Sequence, residues 1–502
     1  MRIKKETIFF ILILIAGVFV RLYNFGIMPD GLNQDEAFAG YEAYSMLKYG
    51  IDSWGYHNPV YFVSWGSGMN VLSSYLMMPF IAVFGNCAFA VRMPQLIASV
   101  FALWVFYLIL KECMGVRTAL IGMFVLAISP WHVMVSRWAL ESNMAPHMWL
   151  FGFYFFMKGM KDNRFLPISM FFYGLSLYAY ATMWFFVPIT LLLMFCYAFS
   201  KKYIKNIKMF ITSGFVLGIL ALPHILFVLV NKSVIPEIKT SFISIPKLLY
   251  MRSGEISISN MFDLETYKNL FNILIKQNDG QVFNSIKYGS YYHLSIPFAI
   301  IGIFRAIKEK GLFSKMVLFN LFVAILIAIS MSSTNMNRIN FIHFPMLILI
   351  VKGIDVVVKS GKKGIVFGMF SAYFVLFCAF SFHYFTGYQR EIARHFDTGL
   401  QKAICSLSDG NVKVDSMIFY PKILFFGEED TKEYIDSVKF SNYPSAYLSV
   451  ESFGRYEFVN DFENLTADTY IVKKDKRAYF KKHEYKAEYY DEIIIFRKLG
   501  TF

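Results

Sequence analysis

Long apolar stretches recur along the chain and constrain its fold more than any other feature. A bilayer core about 30 Å thick needs about 20 apolar residues per helix, and the backbone that crosses it must be helical or lie in a closed barrel. The pattern therefore predicts a polytopic α-helical membrane protein. We expect about eleven transmembrane helices, near Thr7–Phe25, Met93–Leu110, Thr118–Ile128, Met144–Met157, Phe165–Tyr180, Trp184–Phe199, Phe210–Val230, Leu294–Ile307, Met316–Ser330, Phe341–Val351 and Ile365–Tyr384.

The composition supports this interpretation. Hydrophobic residues make up 56% of the chain and charged residues only 17%, whereas soluble domains are about 25% charged. A disordered chain is excluded and a soluble one is disfavoured. The net charge of +14 does not indicate a nucleic-acid partner, because the basic residues lie in short clusters between apolar runs. The five cysteines have no metal-ligand spacing and predict no disulfide framework.

The basic clusters also predict the orientation. Arg2 and Lys4 precede the first apolar run, and Lys201, Lys202 and Lys205 lie between two later runs. Short cytoplasmic loops are enriched in such residues, so we expect a cytoplasmic N-terminus in a multi-pass protein of the cell membrane. The first run is too long for the apolar part of a signal peptide and predicts an uncleaved anchor.

Three long segments then fall on the outer side. They predict a transmembrane domain over 1–384 with outer loops at 26–92 and 231–292, and an extracytoplasmic α/β domain over 385–502. In that last domain a helix carrying Ile392, Phe396 and Leu400 precedes three strand-like runs. These runs are Met417–Phe426, Thr469–Lys473 and Glu492–Arg497.

The first outer loop begins with a helix that has clear end signals. Asn33 followed by Glu36 is the spacing of a capping box, and Gly50 is a suitable stop. A second helix, Met69–Phe84, is expected to lie in the membrane interface or to re-enter the membrane, because another span here would invert every later loop.

Asp35 and Glu36 at the start of the first loop helix are the leading candidates for catalysis. A carboxylate held close to an apolar boundary can serve as a general base. The alternative is structural, since acidic residues also complement the N-terminal end of a helix dipole.

An ordered set of motifs resembles a known superfamily. The set extends over about Arg21–Gly353, and no single motif in it suffices. The motifs are Arg21, Pro29, Asp35-Glu36-Ala37, Gly50, His57-x-Pro59, Phe84-Gly85, Arg92-x-Pro94, Ser129-Pro130-Trp131-His132, Ser136-Arg137 and Asn335-Met336-Asn337-Arg338. The set resembles the GT-C superfamily of lipid-dependent glycosyltransferases, with most likeness to bacterial members of the protein mannosyltransferase and aminoarabinose transferase branch.

The resemblance implies a site and a donor. Asp35 would be the base, Glu36 its partner, and the donor a polyprenyl- or dolichyl-phosphate sugar. A divalent metal at Asp35 and Glu36 is implied for some members only, so no cofactor is firmly expected. His57-Asn58-Pro59 departs at Asn58 from the His-Pro-Pro or Lys-Pro-Pro of many relatives.

Further candidates for substrate binding are His57, Arg137, Glu141, Asn337 and Arg338. Phosphate is a good leaving group, so one base and nearby cations suffice for a single displacement. Arg137 and Arg338 are suitable cations. Each also has a structural alternative: Arg137 can reach the headgroups or pair with Glu141 one helical turn later.

Together these features predict a membrane glycosyltransferase. It would transfer a sugar from a polyprenyl-phosphate donor, whose lipid tail lies in the membrane, with inversion at the anomeric carbon. The acceptor would be a cell-wall polymer, glycolipid or protein at the outer face. The alternative is a multi-span transporter or lipid flippase, which would carry charges at mid-bilayer and repeated halves. Abundant Lys, Ile, Asn and Phe are typical of an AT-rich bacterial genome and favour an undecaprenyl carrier.

Overall fold

The computed structural model describes residues 5–251, 255–282, 284, 287–481 and 484–500. Arg2 and Lys4, which were used to predict the orientation, lie outside these residues. The chain forms two compact units. Unit 1 comprises Met1–Phe25, Gln95–His224 and Ser253–Phe385, and unit 2 comprises Gly26–Pro94, Ile225–Arg252 and Thr386–Phe502.

Most of the chain is helical. The helices are α1 (Lys5–Leu22), α2 (Gln34–Tyr49), α3 (Leu72–Phe84), α4 (Ala88–Met114), α5 (Val116–Ile128), α6 (Pro130–Val135), α7 (Glu141–Gly159), α8 (Leu166–Leu177), α9 (Met183–Ser200), α10 (Ile207–Asn231), α11 (Leu264–Phe271), α12 (Ile296–Lys308), α13 (Leu312–Ser330), α14 (His343–Lys359), α15 (Lys363–His383), α16 (Gln389–His395), α17 (Leu400–Cys405), α18 (Tyr420–Gly427) and α19 (Thr431–Ser437).

Each predicted span coincides with one of these helices. Within the described residues, six helical segments are long and apolar enough to cross a membrane. The prediction of a polytopic helical membrane protein is confirmed. The six segments are Ala88–Met114, Met183–Ser200, Ile207–Asn231, Leu312–Ser330, Asn340–Lys359 and Lys363–His395.

Glycines allow two helices of unit 1 to approach closely. Gly302 of α12 faces the carbonyl of Leu349, and Gly353 of α14 faces the carbonyl of Phe298. A Cβ atom at either glycine would overlap the opposite backbone. Small residues permit such contacts between helices in a bilayer, where dispersion rather than the hydrophobic effect drives their association.

Unit 2 contains a mixed sheet. Its order is β4-β5-β6-β3-β7-β9-β8, with β3 parallel to both β6 and β7 and the other pairs antiparallel. A separate antiparallel pair, β1 with β2, lies earlier in the chain. The strands are β1 (Ile238–Lys239), β2 (Ser244–Ile245), β3 (Val412–Asp415), β4 (Lys439–Phe440), β5 (Val450–Phe453), β6 (Tyr456–Val459), β7 (Thr469–Lys473), β8 (Tyr485–Tyr490) and β9 (Ile493–Lys498).

The α/β character of the C-terminal segment is confirmed, with one element wrong. The runs at 469–473 and 492–497 are strands β7 and β9, but the run at 417–426 is mainly helix α18. Pro421 stands in the first turn of α18, where the missing N–H costs nothing and the fixed φ favours a helix. A short apolar run without clear periodicity does not distinguish the two structures.

The predicted amphipathic helix is divided in two. Asp397 and Gly399 have φ angles of 56° and 89°, which end α16 and turn the chain into α17. Ile392, Phe396 and Leu400 are all buried, as their spacing predicted. The break directs the Phe396 carbonyl towards the first loop, where it accepts a hydrogen bond from the Leu32 N–H at 3.1 Å.

Gly353→Val is expected to destabilise the α12–α14 contact. The added side chain would force the two helices apart, and overpacking of this kind typically costs about 1–3 kcal/mol. The measurement is thermal unfolding of the purified protein in detergent. Gly364→Val in α15 is the control, since no atom lies within 4 Å of an added Cβ there. Equal melting temperatures for the two variants would contradict the close approach.

Candidate active site

The first loop helix, α2, has the ends that the sequence predicted. The Asn33 side chain accepts a hydrogen bond from the Asp35 N–H at 2.9 Å, and Glu36 Oε2 accepts from the Asn33 N–H at 3.0 Å. Gly50 closes the helix with a left-handed φ of 74°. These caps satisfy backbone groups that a helix leaves unpaired at its ends, and they fix where Asp35 and Glu36 stand.

Glu36 forms a fully buried ion pair with Arg92. Arg92 Nε lies 2.9 Å from Glu36 Oε1 and Arg92 Nη2 lies 3.0 Å from Oε2, with both side chains 0% exposed. Two parallel bonds between a guanidinium and a carboxylate fix the orientation of both groups. Glu36 is therefore held as a structural partner of α4.

The same guanidinium also holds the turn that leads into α2. Arg92 Nη1 donates to the Pro29 carbonyl at 2.7 Å, and Nη2 donates to the Gly31 carbonyl at 2.8 Å. The Phe396 ring lies 6.0 Å from the Arg92 guanidinium carbon. Gly31, with φ 77°, has no room for a Cβ atom beside the Phe396 carbonyl. Loop 1 and the C-terminal segment thus jointly position the start of α2.

Asp35 occupies the first turn of α2, one residue before the buried glutamate. Consecutive helical residues point about 100° apart, so Asp35 does not share the direction of Glu36. Its side chain is half-buried. The positive end of the helix dipole favours the carboxylate form, which is the form that accepts a proton.

His57 is not close to this pair. Its Nδ1 donates to the Gly50 carbonyl at 2.8 Å, at the C-terminal end of α2. Fifteen residues of helix separate Asp35 from Gly50, or about 22 Å at 1.5 Å per residue. The structure therefore does not bring His57 and Asp35 into one site, and a role for His57 in substrate binding stays a prediction.

Arg137 caps the end of helix α1 in unit 1. Its Nη1 donates to the Arg21 carbonyl at 2.8 Å, and its Nη2 donates to the Tyr23 carbonyl at 2.7 Å. The side chain is 0% exposed and lies over the Phe385 ring. These bonds satisfy carbonyls that α1 leaves without helical partners. A second role at phosphate stays a prediction.

The remaining predicted residues also lie in unit 1. Glu141 is the first residue of α7 and is half-buried. Asn337 donates to the Gln281 side chain at 3.1 Å. Arg338 pairs with Glu255 at 3.3 Å and keeps 21% of its side chain exposed, so part of its guanidinium is accessible to solvent.

The geometry at Glu36 does not fit a metal ligand. Both carboxylate oxygens already accept hydrogen bonds from Arg92 or Asn33. Within the part of the chain that the structure describes, no group of three or more His, Cys, Asp or Glu side chains is arranged to hold an ion. We therefore derive no step through a metal.

Sequence reasoning missed a buried acidic pair at the other end of α2. Glu42 and Asp52 are both 0% exposed. Glu42 Oε2 accepts from the Ser53 N–H at 2.8 Å, and Asp52 Oδ1 accepts from the Tyr56 N–H at 2.8 Å. Burial and the neighbouring Asp52 carboxyl raise the pKa of Glu42 well above its usual range, and burial raises the pKa of Asp52 to about 7. The spacing of Glu42 and Asp52 in the sequence did not indicate that the two carboxyls would be buried together.

A buried polar network in unit 1 was also missed. Arg21 donates to His132 Nδ1 at 2.6 Å, so the opposite nitrogen of that ring carries the proton towards His147, 3.3 Å away. His147 Nδ1 in turn donates to the Asn143 carbonyl at 2.8 Å. Arg21 also donates to the carbonyls of Leu126 and Ala127, so its buried bonds join α1 to the end of α5.

Comparison with known proteins gives a consistent result. Residues 70–227 match the family model described as dolichyl-phosphate-mannose-protein mannosyltransferase. No curated protein matches the chain at a significant level of sequence similarity.

Several solved structures resemble this chain in fold. ArnT from Cupriavidus metallidurans bound to undecaprenyl phosphate has a TM-score of 0.58 and 11% identity, covering 99% of this chain and 98% of that one. Its apo structure has a TM-score of 0.55, 11% identity and coverages of 98% and 97%. The oligosaccharyltransferase of Archaeoglobus fulgidus has a TM-score of 0.52 and 12% identity, covering 85% of this chain and 64% of that one.

At sequence identities this low, the structural similarity establishes the fold alone. The ArnT-like fold extends over nearly the whole chain, and residues 70–227 within it match the mannosyltransferase family model.

Arg92→Met is expected to lower the free energy of unfolding by about 3–5 kcal/mol, because it leaves the Glu36 carboxylate buried without its cation. Chemical or thermal unfolding of the protein in detergent measures the loss. Arg164→Met removes an exposed ion pair with Asp162 and is the control, since such pairs contribute at most about 1 kcal/mol. A loss no larger than that of the control would show that the Arg92 pair is not structural.

The buried acidic pair predicts that stability depends on pH. Glu42 and Asp52 keep protons that the unfolded chain releases, so stability should fall as pH rises from about 4 to about 7. Melting temperatures measured across this range test the slope. Glu42→Gln should flatten it, and the exposed control Glu451→Gln should not. A wild-type slope of the opposite sign would show that Glu42 and Asp52 do not keep these protons in the folded protein.

Proposed function

We propose that this chain is a membrane glycosyltransferase that transfers a sugar from a polyprenyl-phosphate donor to an acceptor hydroxyl or amine, with Asp35 as the base. The observation that carries the proposal is the arrangement at the start of α2. Glu36 is locked to Arg92, whereas the adjacent Asp35 is half-buried at the positive end of the helix. Only one acid of the pair is thus placed for proton transfer.

The donor class follows from chemistry and from the fold. A lipid phosphate sugar brings its own leaving group, so the enzyme needs no acid to protonate the departing oxygen. The ArnT structure that resembles this chain is described as bound to undecaprenyl phosphate. The composition favours the same carrier here, and we propose it as the lipid of the donor.

The reaction is a single displacement. Asp35 accepts the proton of the acceptor group as that group forms its bond to the anomeric carbon, and the bond from this carbon to the phosphate oxygen breaks. The products are the glycosylated acceptor and the lipid phosphate, with the anomeric configuration inverted. The proton passes from the acceptor group to Asp35, and the electron pair of the broken bond leaves with the phosphate.

Charge develops on the departing phosphate and is stabilised by cations. Of the two predicted arginines, Arg338 has a side chain that keeps 21% of its surface exposed beside its pairing with Glu255. Arg137 is already bonded to the carbonyls at the end of α1. We therefore propose Arg338 as the phosphate ligand, with Asn337, Glu141 and His57 in lesser or indirect roles.

The proposed topology places this chemistry outside the cytoplasm. The basic short loops favour a cytoplasmic N-terminus, with the first loop and the C-terminal segment on the outer side. Nucleotide sugars are not supplied there, which is the reason for a lipid-borne donor. The acceptor is a glycan, glycolipid or protein of the cell envelope. The transporter or flippase alternative is not favoured, because the fold and the family match are those of transferases.

Asp35→Asn is expected to lower the rate of transfer by at least about 100-fold, the usual contribution of a general base. The assay supplies labelled polyprenyl-phosphate sugars, one at a time, to membranes that contain the protein and follows loss of label from the lipid. The melting temperature should stay near that of the wild type.

Asp30→Asn is the matched control, because Asp30 is an exposed aspartate of the same loop, and among the described contacts its side chain accepts a hydrogen bond only from the adjacent Gly31 N–H. It should retain activity. Wild-type rates for Asp35→Asn would remove Asp35 from the role of base, and full activity of the control with none in Asp35→Asn would support it.

A further inference from the structure

Unit 1 contains a polar cleft that the proposed reaction does not use. Its volume is about 490 Å³, within the range of ligand pockets. Residues of α11 and of the turn that follows it form one wall, and Lys287, His293 and Thr334 complete the lining.

We propose that this cleft binds an anionic saccharide, and that it holds the acidic glycan portion of the acceptor. The assignment to the acceptor rests on the proposed function, whereas the binding chemistry rests on the cleft itself.

The charges in the cleft favour an anion. Lys276 and Lys287 both line it and are exposed. Among the described residues neither lysine forms an ion pair, and the Lys287 ammonium group lies 5.2 Å from the Tyr288 ring centroid. Two ammonium groups around one opening attract phosphate or carboxylate groups.

The one acid in the lining is already occupied. Asp279 Oδ1 accepts from the Gln281 N–H at 3.1 Å, and Oδ2 accepts from the Met336 N–H at 2.9 Å. Asp279 therefore serves to fix the turn at the mouth of the cleft, and its single negative charge leaves the lysines in excess.

The neutral groups in the cleft suit sugar hydroxyls. Asn269, Asn272 and Asn278 contribute amides to the lining, and amides both donate and accept hydrogen bonds. His293 Nε2 donates to the Lys276 carbonyl at 3.1 Å. The other ring nitrogen, Nδ1, is left to bond a sugar hydroxyl.

Asn272 gives a second, independent sign of a ligand. Its amide oxygen is buried and has no hydrogen-bond partner among the described residues. A buried acceptor without a partner is unfavourable unless a donor reaches it, and a saccharide hydroxyl is such a donor.

The cleft is joined to the segment that holds the proposed phosphate ligand. The turn carrying Asp279 and Gln281 binds Met336 through the backbone and Asn337 through its side chain. Arg338 is the next residue. A saccharide in the cleft would thus lie against the same short segment that presents Arg338, which is the arrangement expected for an acceptor beside a donor phosphate.

The test measures direct binding by the full-length protein in nanodiscs. The probes are maltotriose, phosphorylated maltotriose and trigalacturonate, which separate neutral, phosphate and carboxylate ligands. At low ionic strength, we expect at least one of the two anionic sugars to bind tenfold or more tightly than maltotriose. Equal affinity for all three, or inorganic phosphate binding as tightly as the phosphorylated sugar, would overturn the proposal.

Variants locate the binding site. Lys276→Met/Lys287→Met should weaken binding of the anionic sugar at least tenfold. Lys268→Met is the matched control, because Lys268 lies on α11 outside the cleft and pairs with Glu265 at 3.2 Å. It should leave affinity unchanged. An unchanged affinity in the double variant would also overturn the proposal.

Asn272→Leu separates binding from folding. Removal of the unpartnered oxygen should leave the melting temperature unchanged or higher while it weakens saccharide binding. A lower melting temperature with unchanged binding would show that Asn272 is structural.

The outcome is distinguishable from failure of the proposed function. Asp35→Asn should abolish transfer but keep wild-type affinity for the anionic sugar. Binding without any transfer by the wild type would refute the function and leave the cleft, whereas transfer without saccharide binding would refute the cleft alone.

Discussion

The buried ion pair between Glu36 and Arg92 is the constraint on which the candidate site depends. A charge without a partner in such a position would cost several kcal/mol, so each residue fixes the other. Because Arg92 also binds the carbonyls of Pro29 and Gly31, one guanidinium sets the entry to α2 and the direction of its first turn. The adjacent Asp35 is positioned by its own N–H bond to Asn33 and by the ion pair of its neighbour Glu36. A carboxylate at the start of a helix has a fixed position only when its neighbours are held in this way.

Local physics explains why much of the fold was predictable. A bilayer forces each crossing segment to be apolar and helical, and every predicted span is a helix in the structure. The limits of α2 followed from Asn33, Glu36 and Gly50, because a cap is satisfied by residues only a few positions away. In the candidate site, the position of Asp35 at the helix start could be predicted for the same reason.

The parts that failed or were missed depend on contacts distant in sequence. Nothing near Arg137 indicates that its guanidinium ends on the carbonyls of α1, more than a hundred residues earlier. The pairing of Glu36 with Arg92 is likewise invisible to a pattern of three or four residues. The strand predicted at 417–426 was wrong because a short apolar run is compatible with either structure, and Pro421 together with burial against α2 selects the helix. The bond between His57 and the Gly50 carbonyl, at the opposite end of α2 from Asp35, was also missed, and the role of His57 in substrate binding stays a prediction.

The buried ion pairs of unit 2 explain why Asp35 is the acidic residue assigned to catalysis. Glu36 is neutralised by Arg92, and Asp397 is enclosed by Lys422 at 2.7 Å and Lys473 at 2.8 Å. Burial lowers the pKa of Lys422, and the Asp397 carboxylate opposes that shift and favours the charged lysine. These groups are committed to structure, since removal of either partner would leave a buried charge. Asp35 differs in keeping solvent-accessible surface at the positive end of a helix whose position those buried pairs define. An acid with this combination of fixed backbone and accessible carboxylate is suited to accept a proton from an incoming nucleophile, and that is the physical basis for assigning it the chemistry.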